Sequence, residues 1–198
     1  MPQGRSGPQP RAWQVMLSGR TLDLLHPSPL DIEIEDIAHG LSRLARWNGQ
    51  TSGDQAWSVA QHSLLVERLA VRLKEDLEVR WRLAALLHDA PEFVIGDLIS
   101  PFKAVIGTEY RQVEDRLLAA IHLRFGLPAT LPERVVKLIK RSDRISAGLE
   151  AVQLAGFSQN RARRLFGQSR EGHDIVLRPW SPDEARHRFL ERFDQLAG

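Results

Sequence analysis

The 198-residue sequence contains no cysteine. That absence removes disulfides, iron–sulfur clusters, thiolate zinc sites and cysteine nucleophiles in one step. It fits a reducing compartment, so a cytoplasmic location is the expectation. Long apolar runs are missing too. Leu83 to Leu87 and Leu117 to Ile121 reach only about five residues, far below the roughly 20 that a membrane span needs, so no membrane partner is expected. The opening Met1–Pro10 is polar and rich in glycine and proline. It lacks the apolar stretch of a signal peptide and reads as a frayed tail. Internal repeats and low-complexity tracts are absent after it.

What is present is an ordinary globular composition, 42% hydrophobic and 26% charged, which argues against wholesale disorder. The length gives one domain, enough to bury roughly 70% of its unfolded surface. Net charge is only +2, but it is unevenly spread. Arg134 to Arg170 holds nine basic residues and two acids, a local +7 against −5 elsewhere. Such a segment can attract phosphate groups or serve as a solvated helix face followed by an arginine-rich turn.

Hydrophobic spacing predicts a mainly helical chain of about six helices. Trp13 to Leu25 alternates around Ser18-Gly19-Arg20, a small β-hairpin pattern, and His26-Pro27-Ser28-Pro29 breaks the chain. Ile37, Leu41, Leu44 and Ala45 share a helix face that starts near Glu35 and stops at Asn48-Gly49-Gln50. Further helices are expected over Ser58–Leu73, Glu78–Asp89, Thr108–Phe125 and Thr130–Gly156. Leu83 to Leu87 makes the 78–89 helix apolar nearly all round, hence central. Thr130 and Glu133 have capping-box spacing, and Ser181-Pro182-Asp183-Glu184 opens a last helix. Asp174–Leu177 reads as a short strand.

Two His-Asp dipeptides occur, His88-Asp89 and His173-Asp174. Chance alone predicts fewer than one, so the surroundings must decide. His173-Asp174 lies in a polar loop and reads as surface. His88-Asp89 ends the most apolar helix, where ionisable groups are costly without partners. His62 lies on the face of Leu65, Val66 and Leu69, and Asp143 in the stripe of Val135, Ile139 and Ala147. Each has a plain alternative: a hydrogen-bonded core histidine, or an aspartate paired with Arg141 or Arg144. Together, two imidazoles and two carboxylates form a set that suits one divalent transition metal. His26, His39, His122 and His187 lack this neighbourhood and read as surface or core-edge residues.

Other residues extend the pattern. Arg46-Trp47 closes the helix before the first ligand, and Ser58-Val59-Ala60-Gln61-His62-Ser63 surrounds that ligand. His88-Asp89-Ala90-Pro91-Glu92 continues to Gly96-Asp97-Leu98 and Ser100-Pro101-Phe102-Lys103. With His62, His88-Asp89 and Asp143 in that order, the chain resembles the HD-domain metal-dependent phosphohydrolases. Among these it looks like the HD-domain 5′-deoxynucleotidases, over roughly Ile37 to Ala155. Gln61 departs from the acidic residue that group commonly has before its first histidine, which bears on how His62 is oriented.

The resemblance and the spacing together give a mainly α fold: an HD-domain helical bundle with a small N-terminal β-hairpin and a C-terminal helical extension. After the tail, one domain covers 11–198, with its core at about 35–157 and the extension at 158–198. The implied activity is hydrolysis of deoxynucleoside 5′-monophosphates to deoxynucleoside and phosphate. The alternatives are another phosphorylated nucleotide (a triphosphate, a signalling nucleotide or an oligonucleotide) and a nucleotide-binding module without catalysis. The metal ligands would be His62, His88, Asp89 and Asp143. With nitrogen and oxygen donors and no sulfur, Mn²⁺, Co²⁺ or Fe²⁺ fits best, leaving Mg²⁺ and Zn²⁺ as alternatives. By the same resemblance Glu92 orients or deprotonates the attacking water. Arg46 and Lys103 would contact phosphate, Trp47 the sugar or base, and Asp97 the sugar 3′-hydroxyl. The expected partner is a small-molecule nucleotide rather than nucleic acid, and the resemblance implies a homodimer.

Overall fold

The polypeptide begins with a short antiparallel ribbon, β1 (Trp13–Val15) and β2 (Thr21–Asp23), paired Trp13 to Asp23 and Val15 to Thr21. This description comes from a computed structural model, which describes residues 12–99, 102 and 105–198. The tail expected over 1–10 lies outside the described residues, as does Lys103. The hairpin turn is anchored to the next element. The Ser18 hydroxyl donates to Asp36 Oδ2 at 2.6 Å and the Ser18 N–H to Asp36 Oδ1 at 3.0 Å. Asp36 is buried in the first turn of α1 (Ile34–Arg43), and Leu22 from β2 enters the core.

Helix α1 stops at Arg43, earlier than its spacing suggested. Trp47 and Asn48 adopt left-handed backbone, with φ of 58° and 51°, a region that non-glycine residues enter at a cost. The neighbouring backbone holds the turn: Arg46 N donates to Trp57 O at 2.8 Å, and Val59 N to Leu44 O at 3.0 Å. Arg46 and Trp47 therefore sit in a separate turn rather than on the last turn of a helix.

α2 (Val59–Leu73) starts where its spacing put it, after Ser58, whose hydroxyl accepts from Gln61 N. α3 (Val79–Leu86) is buried around Leu83–Leu86 as its composition implied, but it ends three residues short of Asp89. Pro91 has no N–H and disfavours helix in the residue before it. The chain turns through 87–91 and resumes as α4 (Glu92–Ile95). α5 (Thr108–Arg124), α6 (Glu133–Gln153), α7 (Gln159–Phe166) and α8 (Pro182–Ala197) follow, giving eight α-helices among the described residues.

Three local expectations are corrected. The Thr130 capping box does not form. Pro132 occupies the cap position of α6 with no side-chain hydrogen bond, because its fixed φ already pre-organises the turn. Asp174–Leu177 is not a strand. The Gln153 amide donates to Ile175 O at 2.9 Å and accepts from Leu177 N at 3.0 Å, so a side chain replaces the partner strand. His122 lies fully inside α5's packing rather than at an edge.

The main core gathers Leu22, Ile37, Leu41, Val66, Leu83, Leu86, Leu87, Leu117 and Ile121 with Phe189 and Phe193 of α8. The segment after 157 thus contributes α8 to the same core. Ser181 caps α8, its hydroxyl accepting from Glu184 N. Buried Glu67 of α2 joins α3 to α8 by accepting from Arg82 at 3.0 Å and Arg192 at 2.7 Å. No helix among the described residues is long and apolar enough to cross a membrane.

Candidate metal centre

Two helices and one turn converge on a single point. α2 delivers His62, the turn after α3 delivers His88 and Asp89, and α6 delivers Asp143. The His62 and His88 rings lie with centroids 5.3 Å apart. His62 Nε2 is 3.2 Å from Asp143 Oδ1 and 3.4 Å from Asp89 Oδ2, and His88 Nε2 is 3.3 Å from Asp89 Oδ2. Donor atoms of His62, His88 and Asp143 all lie within 4.8 Å of one another. Asp89 stands between the two imidazoles.

Both imidazoles present the same nitrogen to this point. His62 Nδ1 bonds Glu150 Oε1 at 2.6 Å, and His88 Nδ1 bonds Ala85 O at 2.9 Å. A carboxylate or carbonyl on Nδ1 fixes the proton there and leaves the Nε2 lone pair free. Both Nε2 atoms are buried and make no hydrogen bond. Buried polar atoms in that state are rare, and two of them converging beside two carboxylates fit a divalent cation. The side chains open in a gradient: His62 is 0% exposed, His88 11%, Asp89 23% and Asp143 43%. A site open on one side leaves room for water and substrate, unlike a closed structural site.

The orienting carboxylate, Glu150, was not anticipated. It lies two helical turns after Asp143 on the same inward stripe, fully buried. It accepts from the Ser146 hydroxyl at 2.8 Å and from Trp47 Nε1 at 3.0 Å, besides pairing with His62. Arg46 Nε is 3.6 Å away. A glutamate at helical spacing behind a candidate ligand was the sequence signal for it. Burial alone would raise the Glu150 pKa; the charges of His62 and Arg46 and the Ser146 hydroxyl instead hold it well below the usual carboxylate range. Burial and Arg46 oppose a proton on His62, but Glu150, Asp143 and Asp89 outweigh them and push its pKa up, so without a cation a second proton on Nε2 fills the place an ion would take. Asp89 is likewise held down despite burial, by His88 and His62. Asp89, Asp97, Asp143 and Glu150 face one guanidinium, that of Arg46. This excess of negative charge is the electrostatic setting a cation would relieve.

Gln61 does not take up the orienting role. Its amide donates to Arg178 O at 3.0 Å and accepts from Trp180 N at 3.0 Å. It clamps the 178–180 backbone that leads into α8, and Glu150 orients His62.

Of the remaining expected residues, Arg46 and Asp97 border the same point. Arg46 Nη1 is 3.4 Å from Asp97 Oδ2 and 3.9 Å from Asp89 Oδ2. Glu92 opens α4 and is buried. The Trp47 ring packs edge-on against Phe157 and Phe166, at 5.6 and 6.1 Å between centroids. His173-Asp174 is spent elsewhere, with Asp174 paired to Arg72.

Comparison with known proteins gives a family match and two relatives. The family model described as HD domain matches residues 59–148. That span contains His62, His88, Asp89 and Asp143; it leaves out Arg46 and Trp47 and stops just short of Glu150. An uncharacterised protein of Rhodobacter capsulatus is 60% identical over 190 residues, covering 94% of this chain and 96% of that protein. The uncharacterised protein YfdR of Escherichia coli is 30% identical over 168 residues, 84% of this chain and 85% of its own length.

Proposed function

Because the chain belongs to the HD-domain family of metal-dependent phosphohydrolases, we propose that His62, His88, Asp89 and Asp143 hold one divalent metal ion. We further propose that the protein hydrolyses deoxynucleoside 5′-monophosphates to deoxynucleoside and phosphate. The observation that carries this reading is the pair of buried, unpartnered Nε2 atoms aimed between two carboxylates, with Arg46 beside them. The imidazole and carboxylate donors favour Mn²⁺, Co²⁺ or Fe²⁺.

Phosphate monoester hydrolysis is so slow in water that about 20 kcal/mol or more must be supplied. A bound divalent ion would lower the pKa of a water toward about 7 and neutralise phosphoryl charge. The protein's own groups supply the rest. Glu150 keeps the proton of His62 on Nδ1. Arg46 is held by Asp97 and Glu150, and its planar fork suits two phosphoryl oxygens. Glu92 follows Asp89 by three residues and orients or deprotonates the attacking water. Asp97 accepts from the sugar 3′-hydroxyl. Trp47, with its indole N–H committed to Glu150, offers ring surface to the sugar or base. Lys103 would add a second phosphate contact. The assembly is a homodimer and the location cytoplasmic, both carried over from the resemblance and from the cysteine-free composition.

A phosphate-release screen on chelator-treated protein tests the reading. Deoxy- and ribonucleoside mono- and triphosphates are each assayed with Mn²⁺, Co²⁺, Fe²⁺, Mg²⁺ and Zn²⁺. Inorganic phosphate from deoxynucleoside monophosphates is expected with Mn²⁺ or Co²⁺. Release of pyrophosphate or triphosphate instead, or no turnover with any metal, overturns it.

A further inference from the structure

At about 100° per residue, Asp143, Ser146 and Glu150 share one face of α6. Arg141, Arg144, Ile145, Gly148 and Val152 gather on the opposite one. That second face forms the floor of a cavity of about 470 Å³ between α6, α7 and the 167–173 loop. Its volume is in the ~300–1,000 Å³ range of small-molecule sites. None of His62, His88, Asp89, Asp143, Arg46 or Glu150 lines it.

Its chemistry is mixed in a specific way. Ile145, Leu149 and the Phe166 ring form an apolar wall, and Arg144 and Arg163 stand on it. A second cavity of about 460 Å³ adjoins it, shares Arg144 and Phe166, and adds Arg141 and Arg170. Among the described residues none of these four arginines makes a side-chain hydrogen bond or ion pair. Arg46, Arg72, Arg124 and Arg192, by contrast, are all paired. The acidic residue in both linings is Glu171. Gly148 brings the two helices close, since a Cβ there would stand 3.4 Å from Phe166 Cβ.

We infer that the back of α6 is a second ligand site, which takes a nucleotide carrying two or more phosphates. The arginine forks bind phosphoryl oxygens, and the Phe166, Ile145 and Leu149 wall receives the planar base. The site shares no residue with the metal ligands and touches that side only through Phe166, which also packs on Trp47, and it does not rest on the reaction proposed there.

Binding of ATP to the full chain is measured by calorimetry in excess chelator, so that no divalent ion bridges phosphate to the metal face. Tripolyphosphate and a single-stranded RNA 12-mer serve as parallel probes. Saturable ATP binding below about 1 mM is expected. Arg144→Ala and Arg163→Ala should each weaken it about 10-fold or more, the worth of one charge-assisted contact. Phe166→Ala should weaken ATP more than tripolyphosphate. Asp143→Ala should leave ATP affinity within about twofold. Circular dichroism confirms the fold of each variant, and both arginines are exposed, so their removal leaves the core intact. Any of three results overturns the inference: no saturation by ATP, equal loss in Asp143→Ala, or binding of the RNA without binding of ATP.

Discussion

Replacing Glu150 with glutamine isolates the group that orients His62. The two residues have the same shape, but the carboxylate accepts on both oxygens: Oε1 from His62 and Ser146, Oε2 from Trp47. A glutamine has one acceptor oxygen. Its amide must face either the His62 Nδ1–H or the indole N–H, donor against donor, in a place with no access to water. One buried donor left without an acceptor costs about 1–3 kcal/mol. Loss of the charge facing Arg46 and His62 brings the total toward the roughly 3–5 kcal/mol of a broken buried pair. The second consequence is specific to metal. Loss of the carboxylate behind a histidine ligand weakens metal affinity about 10–100-fold, or about 1.4–2.7 kcal/mol. Urea unfolding and Mn²⁺ titration of the same samples read both effects. Gln61→Ala is the control, because Gln61 holds the 178–180 backbone and should leave Mn²⁺ affinity within about twofold. If folded Glu150→Gln binds Mn²⁺ as tightly as the parent, or Gln61→Ala is the weaker binder, Glu150 is not the orienting group.

Other outcomes follow from the same contacts. His88→Ala and Asp89→Ala should each abolish phosphate release in a protein that circular dichroism shows to be folded; full activity in metal-depleted Asp89→Ala would remove the metal reading. Arg46→Lys keeps the charge but loses the fork, so kcat/KM for a deoxynucleoside monophosphate should fall about 100-fold, measured by steady-state phosphate release. Gly40→Ala would place a Cβ 2.9 Å from the Phe93 carbonyl oxygen and 3.1 Å from its Cα. Backbone cannot step aside as a side chain can, so thermal unfolding should report a loss of about 1–3 kcal/mol. Glu67→Gln leaves Arg82 and Arg192 without their buried anion and should cost about 2–4 kcal/mol in urea.

Local physics was readable along the chain wherever one element decides it. Ser181 announced its helix because a cap needs only its own next three residues. The inward stripe of α6 was visible as helical spacing, and with it Asp143. Glu150 lies on that stripe too, but a glutamate at such a spacing is usually solvated, and only a partner 88 positions away turns it inward. The Trp47 turn was hidden for a similar reason. Its left-handed backbone is stabilised by Trp57, Glu150, Phe157 and Phe166, all distant in sequence. Thr130 misled because Pro132 stands between it and the first turn.

The order of residues alone therefore established a cysteine-free, mainly helical domain with histidines and aspartates on its apolar faces, since composition and periodicity need no partner. Tertiary packing decided which of those groups meet, which carboxylate fixes the His62 proton, and that Arg141, Arg144, Arg163 and Arg170 gather behind α6 rather than at the candidate metal centre. Those outcomes depend on distances between segments, and a one-dimensional pattern holds no such distances.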